Sequence, residues 1–295
     1  MSDEAKQDQV HYSDWLALLG FESEQDGLRI IQEAGFKNFE TNKWLSKIRS
    51  AISVVNTIST RKEVKPEIKE LDKKYDERLT KLRNEPTFQE YLIGITSHRF
   101  ALVELAKIHT FQRMLNTEYI NEITKKTPSP ENMDETVKFC LPTKDDREKI
   151  EILSAFNPNN NTVSMITDNL DFRIIGNVQG EDGITGRKFS GFAYGFGLPS
   201  MQVVEYKGIY LIKNGYHRAY SLLKMGHKFL PCLLLSTDSY QFTGAQAPSF
   251  FSIDLIMSDK SPLLSDFETD TAVLIPRRRM KLVITVHAEA QILPV

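Results

Sequence analysis

Apolar positions in the first half of the chain recur with a helical period. Trp44, Ile48, Ala51, Val55 and Ile58 are spaced by four, three, four and three residues, and Thr41 or Asn42 stands where a cap is needed. Ile68, Leu71, Tyr75, Leu79 and Leu82 repeat the pattern after Pro66, a residue suited to a first helical turn. From Pro86 to about Leu115 the apolar content is dense enough for a central helix. Shorter helices are expected near 12–19 and 23–34, the second ended by Gly35. Three long helices with short connections predict an antiparallel bundle.

The second half alternates like strand. The pattern predicts strands at 162–166, 171–178, 201–206, 208–213, 229–235, 250–256 and 281–293. Lys207-Gly208 fits a hairpin turn. HRAYSLLKMG follows as a short helix, with Ala219, Leu222 and Leu223 on one face and Gly226 as its stop. Residues 126–160 hold TPSPENMDE and FNPNNN, which is loop chemistry. The expected class is α+β, with a helical domain over 1–150 and a mixed-sheet domain over 151–295.

Composition sharpens this division. Residues 1–150 hold 24 Lys+Arg and 26 Asp+Glu, against 13 and 13 in the rest. The net charge of −2 disfavours a chain that grips nucleic acid by bulk charge. No run is long and apolar enough for a membrane span, and the polar start of the chain has no hydrophobic signal core. A cytoplasmic location is expected. Cys140 and Cys232 lie in no CxxC pair, so free thiols are expected and no metal site.

The most informative segment is Lys213-Asn214-Gly215-Tyr216-His217-Arg218, at the entry to the short helix. A strand ending in Gly and entering a helix offers unpaired backbone N–H groups at the positive end of the dipole. Gly215 permits close backbone approach, and His217 and Arg218 add donors. Such a turn suits an anion of the nucleotide-phosphate kind. The competing reading has His217 capping the helix and Arg218 paired with a carboxylate.

The stretch GLPSMQVVEYKGIYLIKNGYHRAYSLLKMGHKFLPCLLL resembles the ParB/sulfiredoxin-like superfamily. The parts that match are Gly197-Leu198, the hairpin, the Gly215-Tyr216-His217-Arg218 box, Gly226 and Pro231. The match covers about forty residues and none of the first 150. The resemblance implies a box that binds a nucleoside triphosphate or another phosphorylated ligand, with magnesium as a companion ion. Carried over, Gly215, His217 and Arg218 would contact phosphates, flanked by Lys213, Asn214 and Tyr216. Asp171-Phe172-Arg173 stands where partition proteins carry a second arginine box, so Arg173 joins the candidates. Tyr216 replaces the cysteine nucleophile of sulfiredoxins, which removes sulfinic-acid repair. Met201 falls where the family often has Pro, and no helix-turn-helix follows the box.

If the site is catalytic, phosphoryl transfer or nucleotide hydrolysis is the expected class, with His217 and Arg218 stabilising charge and Glu205 as base. Two alternatives stand beside it. One is a nucleic-acid-associated module using Arg277-Arg278-Arg279, followed by Lys281, together with the box as a phosphate-backbone contact. The other is an inactive scaffold in which the box holds its helix in place. Glu181 and Asp182 sit in a Gly-rich loop able to cover a ligand. His98 and His109 are expected to be structural, Trp15 and Trp44 to anchor the core, and the helical half to be where a homodimer would form.

Overall fold

The structure is a computed structural model that describes residues 11–35, 40–146, 153–167, 172–196, 200–245, 249–279 and 282–287. In chain order its elements are β1 (Tyr12–Ala17), α1 (Glu24–Glu33), α2 (Thr41–Thr57), β2 (Ile68–Glu70), α3 (Asp76–Arg83), β3 (Ser97–Glu104), β4 (Met114–Asn116), α4 (Thr117–Thr124) and α5 (Met133–Cys140). There follow β5 (Leu153–Asn157), β6 (Thr162–Thr167), β7 (Phe172–Glu181), β8 (Lys188–Phe196), β9 (Gln202–Tyr206) and β10 (Ile209–Asn214). Last come α6 (Tyr216–Lys224), β11 (Phe229–Ser236), α7 (Ile253–Ile256), β12 (Val273–Arg278) and β13 (Leu282–His287). The protein is mixed α and β, with several small sheets.

Two compact units share the chain. The first combines 1–146 with 200–279, and the second combines 147–199 with 280–295. Composition had suggested 1–150 and 151–295.

In the first unit, α2 is the helix that periodicity predicts. Its face of Trp44, Ile48, Ala51 and Val55 is buried, each large side chain contributing roughly 1.5–3 kcal/mol. Its N-cap position is Glu40, with no side-chain cap, so neither Thr41 nor Asn42 serves. In α1 the cap is Ser23, which accepts from the Asp26 N–H at 3.0 Å, and Gly35 ends the helix in the left-handed region. Trp44, Ile30, Ile31 and Ile48 join Ala17, Leu19 and Ile275 in one cluster, with Trp15 packed against it.

Two expected helices are overturned and a third is shortened. Residues 12–17 form β1, which pairs with β12 and β4. Residues 68–70 form β2, and helix begins only at Asp76. The predicted central helix is instead a short 3-10 turn over Pro86–Leu92, then β3. No antiparallel bundle of three long helices therefore forms over these residues. The reason is strand pairing. β3 lies between β11 and β2 in the sheet β10-β9-β11-β3-β2, and its short apolar run, Phe100–Val103, reads alike in a partly buried strand and in a helix. In the loop-like stretch 126–160, α5 and β5 are ordered, and 253–256 is helix rather than strand.

The C-terminal hairpin fits its pattern. Lys207 and Gly208 both take positive φ, 51° and 82°, which matches the strand twist in a two-residue turn. β11 runs antiparallel to β3 and parallel to β9. Pro231 is tolerated in this central strand because pairing with β9 starts only at Leu233.

In the second unit β5, β6 and β13 form one antiparallel sheet, and β7 and β8 form a separate ribbon. Glu181 ends β7. Asp182 lies in the turn, where its carboxylate accepts from the Ile184 N–H and the Thr185 hydroxyl. Asp171, Gly197, Leu198 and Lys281 lie outside the described residues.

Candidate functional site

β10 delivers the chain to Gly215 at φ 94°, ψ 32°, in the left-handed region, and Gly215 is the N-cap of α6. No side chain caps this helix N-terminus. Its far end closes with Gly226 at φ 88°. The Gly226 N–H bonds Leu223 O and the His227 N–H bonds Leu222 O, a paired C-terminal closure that satisfies two terminal carbonyls. The His227 ring meets Pro128 O at 2.9 Å and so ties this end to another segment.

The box side chains divide into two groups. His217 and Arg218 are engaged within the protein. The backbone N–H of Asn116 donates to His217 Nε2 at 3.2 Å, so the imidazole proton sits on Nδ1. Tyr119 packs edge-on to the ring at 5.0 Å. Burial lowers the His217 pKa to about 4 and keeps it neutral. Arg218 Nη1 donates to Phe139 O at 3.2 Å, in the last turn of α5, where a cation meets the negative end of the dipole. Asn214 likewise donates to Ser200 O at 3.0 Å.

Lys213 and Tyr216 are not satisfied in this way. Among the described residues nothing pairs with the half-buried Lys213 ammonium, and burial lowers its pKa. The Tyr216 hydroxyl is buried with no hydrogen-bond partner among the described residues, while its ring stands edge-on to Phe111 at 5.3 Å. Burial, then the neighbouring Tyr240, raise the phenol pKa well above its ordinary value.

Glu205 is placed elsewhere. Its Oε1 accepts from the Gly208 N–H at 2.7 Å and closes the hairpin turn. It pairs with Tyr210 in the ladder, four residues before Asn214, or roughly 13 Å at the rise of a strand. A carboxylate committed to that turn is not placed as a base for the box. Arg173 lies on β7 of the second unit, opposite Gly195, and is described with that unit alone.

The arginine run is also divided. Arg277 covers the Trp15 ring at 4.9 Å, Arg279 pairs with Glu118, and Arg278 is exposed on β12. Cys140 and Cys232 are free and buried. Burial pushes the Cys140 thiol up to about 12 and Cys232 higher still, which leaves both inert as nucleophiles at neutral pH. Among the described residues no group of three or more His, Cys, Asp or Glu could hold a metal ion, and no helix is long and apolar enough to cross a membrane.

Two buried polar groupings escaped sequence reasoning, because their partners are far apart in the chain. Arg61 grips Asp266 through Nη1–Oδ2 at 2.5 Å and Nη2–Oδ1 at 2.7 Å, with Asp266 3% and Arg61 12% exposed. Ser261 joins this group, its carbonyl accepting from Arg61 and its hydroxyl meeting His109 Nδ1 at 2.8 Å. His109 sits in extended chain bridged to Leu211 and Leu263, and His98 lies on β3. The second grouping is Glu22 with Arg113 at 3.1 Å. Glu22 also borders a groove of about 690 Å³ walled by Phe21, Ile52, Val55, Leu255 and Met257. No residue of the box lines that groove.

Gly215 gives the site its sharpest test. A Cβ there would lie 2.2 Å from Met201 Sδ and 3.4 Å from Arg218 Nη2, at a φ that other residues adopt at a cost. Met201 is fully buried and has little room to move. Gly215→Ala should cost about 2–4 kcal/mol, from left-handed strain plus overpacking. Urea unfolding reads this, and a loss below about 0.5 kcal/mol would mean that the turn is not held as described.

Comparison of the chain with family models, curated proteins and solved structures finds no match.

Proposed function

We propose that the Gly215 turn binds the phosphate of a nucleotide or another small phosphorylated ligand. The observation that carries this reading is the uncapped N-terminus of α6, opened by a left-handed glycine, with the half-buried Lys213 ammonium, unpaired among the described residues, two residues before it. An anion at the turn would meet backbone N–H groups and compensate that cation. The order of hairpin, glycine turn, helix and central strand over 202–236 is also what a ParB/sulfiredoxin-like domain would have. In this reading His217 and Arg218 are the frame, holding α6 to Asn116 and to α5, and the backbone with Lys213 makes the contact. Any turnover would be phosphoryl transfer or nucleotide hydrolysis, with magnesium bound through the ligand's own phosphates.

The inactive-scaffold reading has an observation of its own, the inward engagement of both His217 and Arg218. A thermal-shift series separates the two. The full chain is heated with CTP, ATP, GTP, UTP, inorganic phosphate or a short DNA duplex, with and without magnesium. A ligand at a hundred times its Kd stabilises by about 2.7 kcal/mol and should raise Tm by several degrees. Lys213→Ala should abolish the rise while leaving the unliganded Tm within a degree or two. If no nucleotide or phosphate moves Tm, and Arg218→Ala merely lowers it, the box is structural. A shift confined to the duplex, and lost with added salt, would favour the nucleic-acid module.

A further inference from the structure

The groove walled by Phe21, Ile52, Val55, Leu255 and Met257 lies within the first unit, and at about 690 Å³ it is of the size that holds a small molecule. Its wall is apolar, and one titratable group is enclosed beside it. The Glu22 side chain is only 8% exposed. Arg113 Nε stands 3.1 Å from Glu22 Oε1, yet its N–H is not directed at that oxygen, and neither atom has a hydrogen-bond partner among the described residues. The Arg113 guanidinium lies over the Phe251 ring, 5.6 Å from its centre. A carboxyl enclosed at an apolar cleft and left short of donors is the mark of a ligand site.

The other charges at the groove decide which ligand fits. Lys62 is paired with Asp259 at 2.6 Å. Lys260 Nζ donates to Val55 O at 3.1 Å and to Asn56 O at 3.0 Å, in the last turn of α2. Both lysines are thus committed within the chain, and an anion finds no spare cation in them. The end of α2, where backbone carbonyls gather at the negative pole of the helix dipole, already takes one primary ammonium from the chain itself. Through Ile52, Val55 and Asn56 the same end lines the groove that Glu22 borders.

We propose that this groove binds a small organic amine, with its hydrocarbon part against Phe21, Ile52, Leu255 and Met257 and its ammonium on the Glu22 carboxylate. The ammonium brings three donors and the charge opposite to that of Glu22, while the apolar body removes the wall from water. An alcohol of the same shape brings one donor and no charge, and a carboxylate meets Glu22 with like charge. The site is separate from the Gly215 turn, no residue of which lines the groove.

An NMR titration of the full chain, labelled at the methyl groups of Ile, Leu, Val and Met, tests the proposal. The probes are 2-phenylethylamine, 2-phenylethanol and phenylacetate, each added at about pH 8, above the value of about 7 to which burial raises Glu22. The amine should shift the methyls of Ile52, Val55, Leu255 and Met257 and bind at least about tenfold more tightly than the alcohol or the acid. Glu22→Gln should weaken the amine about tenfold and leave the alcohol unchanged, which erases the preference. Should Glu22→Gln fail to fold, the ranking of the three probes on the wild type decides alone. An amine that leaves these methyls unmoved overturns the proposal. So does an alcohol or acid that binds as tightly as the amine, or a preference that survives Glu22→Gln.

Discussion

Asp266→Ala should destabilise the protein by about 3–5 kcal/mol, the usual cost of breaking a buried ion pair from one side. The substitution leaves the Arg61 guanidinium charged and nearly enclosed. It also removes the acceptor of the Leu263 N–H, which Asp266 Oδ2 holds at 2.7 Å. Arg61 also reaches Ser261 O, so the substitution loosens the tie between the stretch around Arg61 and the stretch 261–266. Removing both charges at once, with Arg61→Met and Asp266→Leu, should cost clearly less than Asp266→Ala alone, because no charge is then stranded. Urea unfolding of the three proteins decides it. An Asp266→Ala loss under 1 kcal/mol would mean that water reaches the pair.

The second large effect is on acid. Burial holds both His109 and His217 at about pKa 4, below their ordinary 6.5. As pH falls below 6.5 the unfolded chain takes up protons that the folded chain refuses, so stability is lost as pH drops towards 4. By pH 4.5 this amounts to about 2.5 kcal/mol for each ring. Glu22 works in the opposite sense. Burial raises it from 4.5 to about 7, against the lowering pull of Arg113, so its contribution is full below pH 4.5 and disappears as pH rises through 7. The net loss from pH 7 to 4.5 should be roughly 2 kcal/mol. Staying above pH 4.5 keeps the Arg78–Asp146 pair out of the measurement, because that carboxylate is held well below its ordinary range, first by its bonds from Arg78. His217→Gln should make the acid slope shallower, and Glu22→Gln should make it steeper. Identical slopes in wild type and His217→Gln would remove His217 from this account.

What was legible in the sequence was local. The span of α1 and its Gly35 stop, the face of α2, the Lys207-Gly208 turn, α6 and its Gly226 stop follow from periodicity and turn chemistry within about fifteen residues. The glycine entry to α6 was legible for the same reason. β1 and β3 were misread because short apolar runs look alike in a buried strand and a buried helix, and what decides is the partner. For β3 that partner is β11, and for β1 it is β12 near the far end of the first unit. The direction of the box side chains was hidden likewise. His217 meets Asn116, and Arg218 meets Phe139, each contributed by a distant stretch. Glu205 was close to the box in sequence, yet the hairpin carries it to the opposite end. The Arg61–Asp266 pair, 205 residues apart, left no pattern to read.

The pairing of β3 with β11 and of β1 with β12 also bears on how the chain is made. A ribosome releasing about 5–20 residues per second needs roughly ten seconds to pass from β3 to β11, and longer to reach β12. Until then the early strands of the first unit lack the neighbours they have in the finished sheets, and their apolar side chains remain open to wrong contacts. The nascent polypeptide is thus most vulnerable in mid-synthesis, when a holding chaperone would have most to cover.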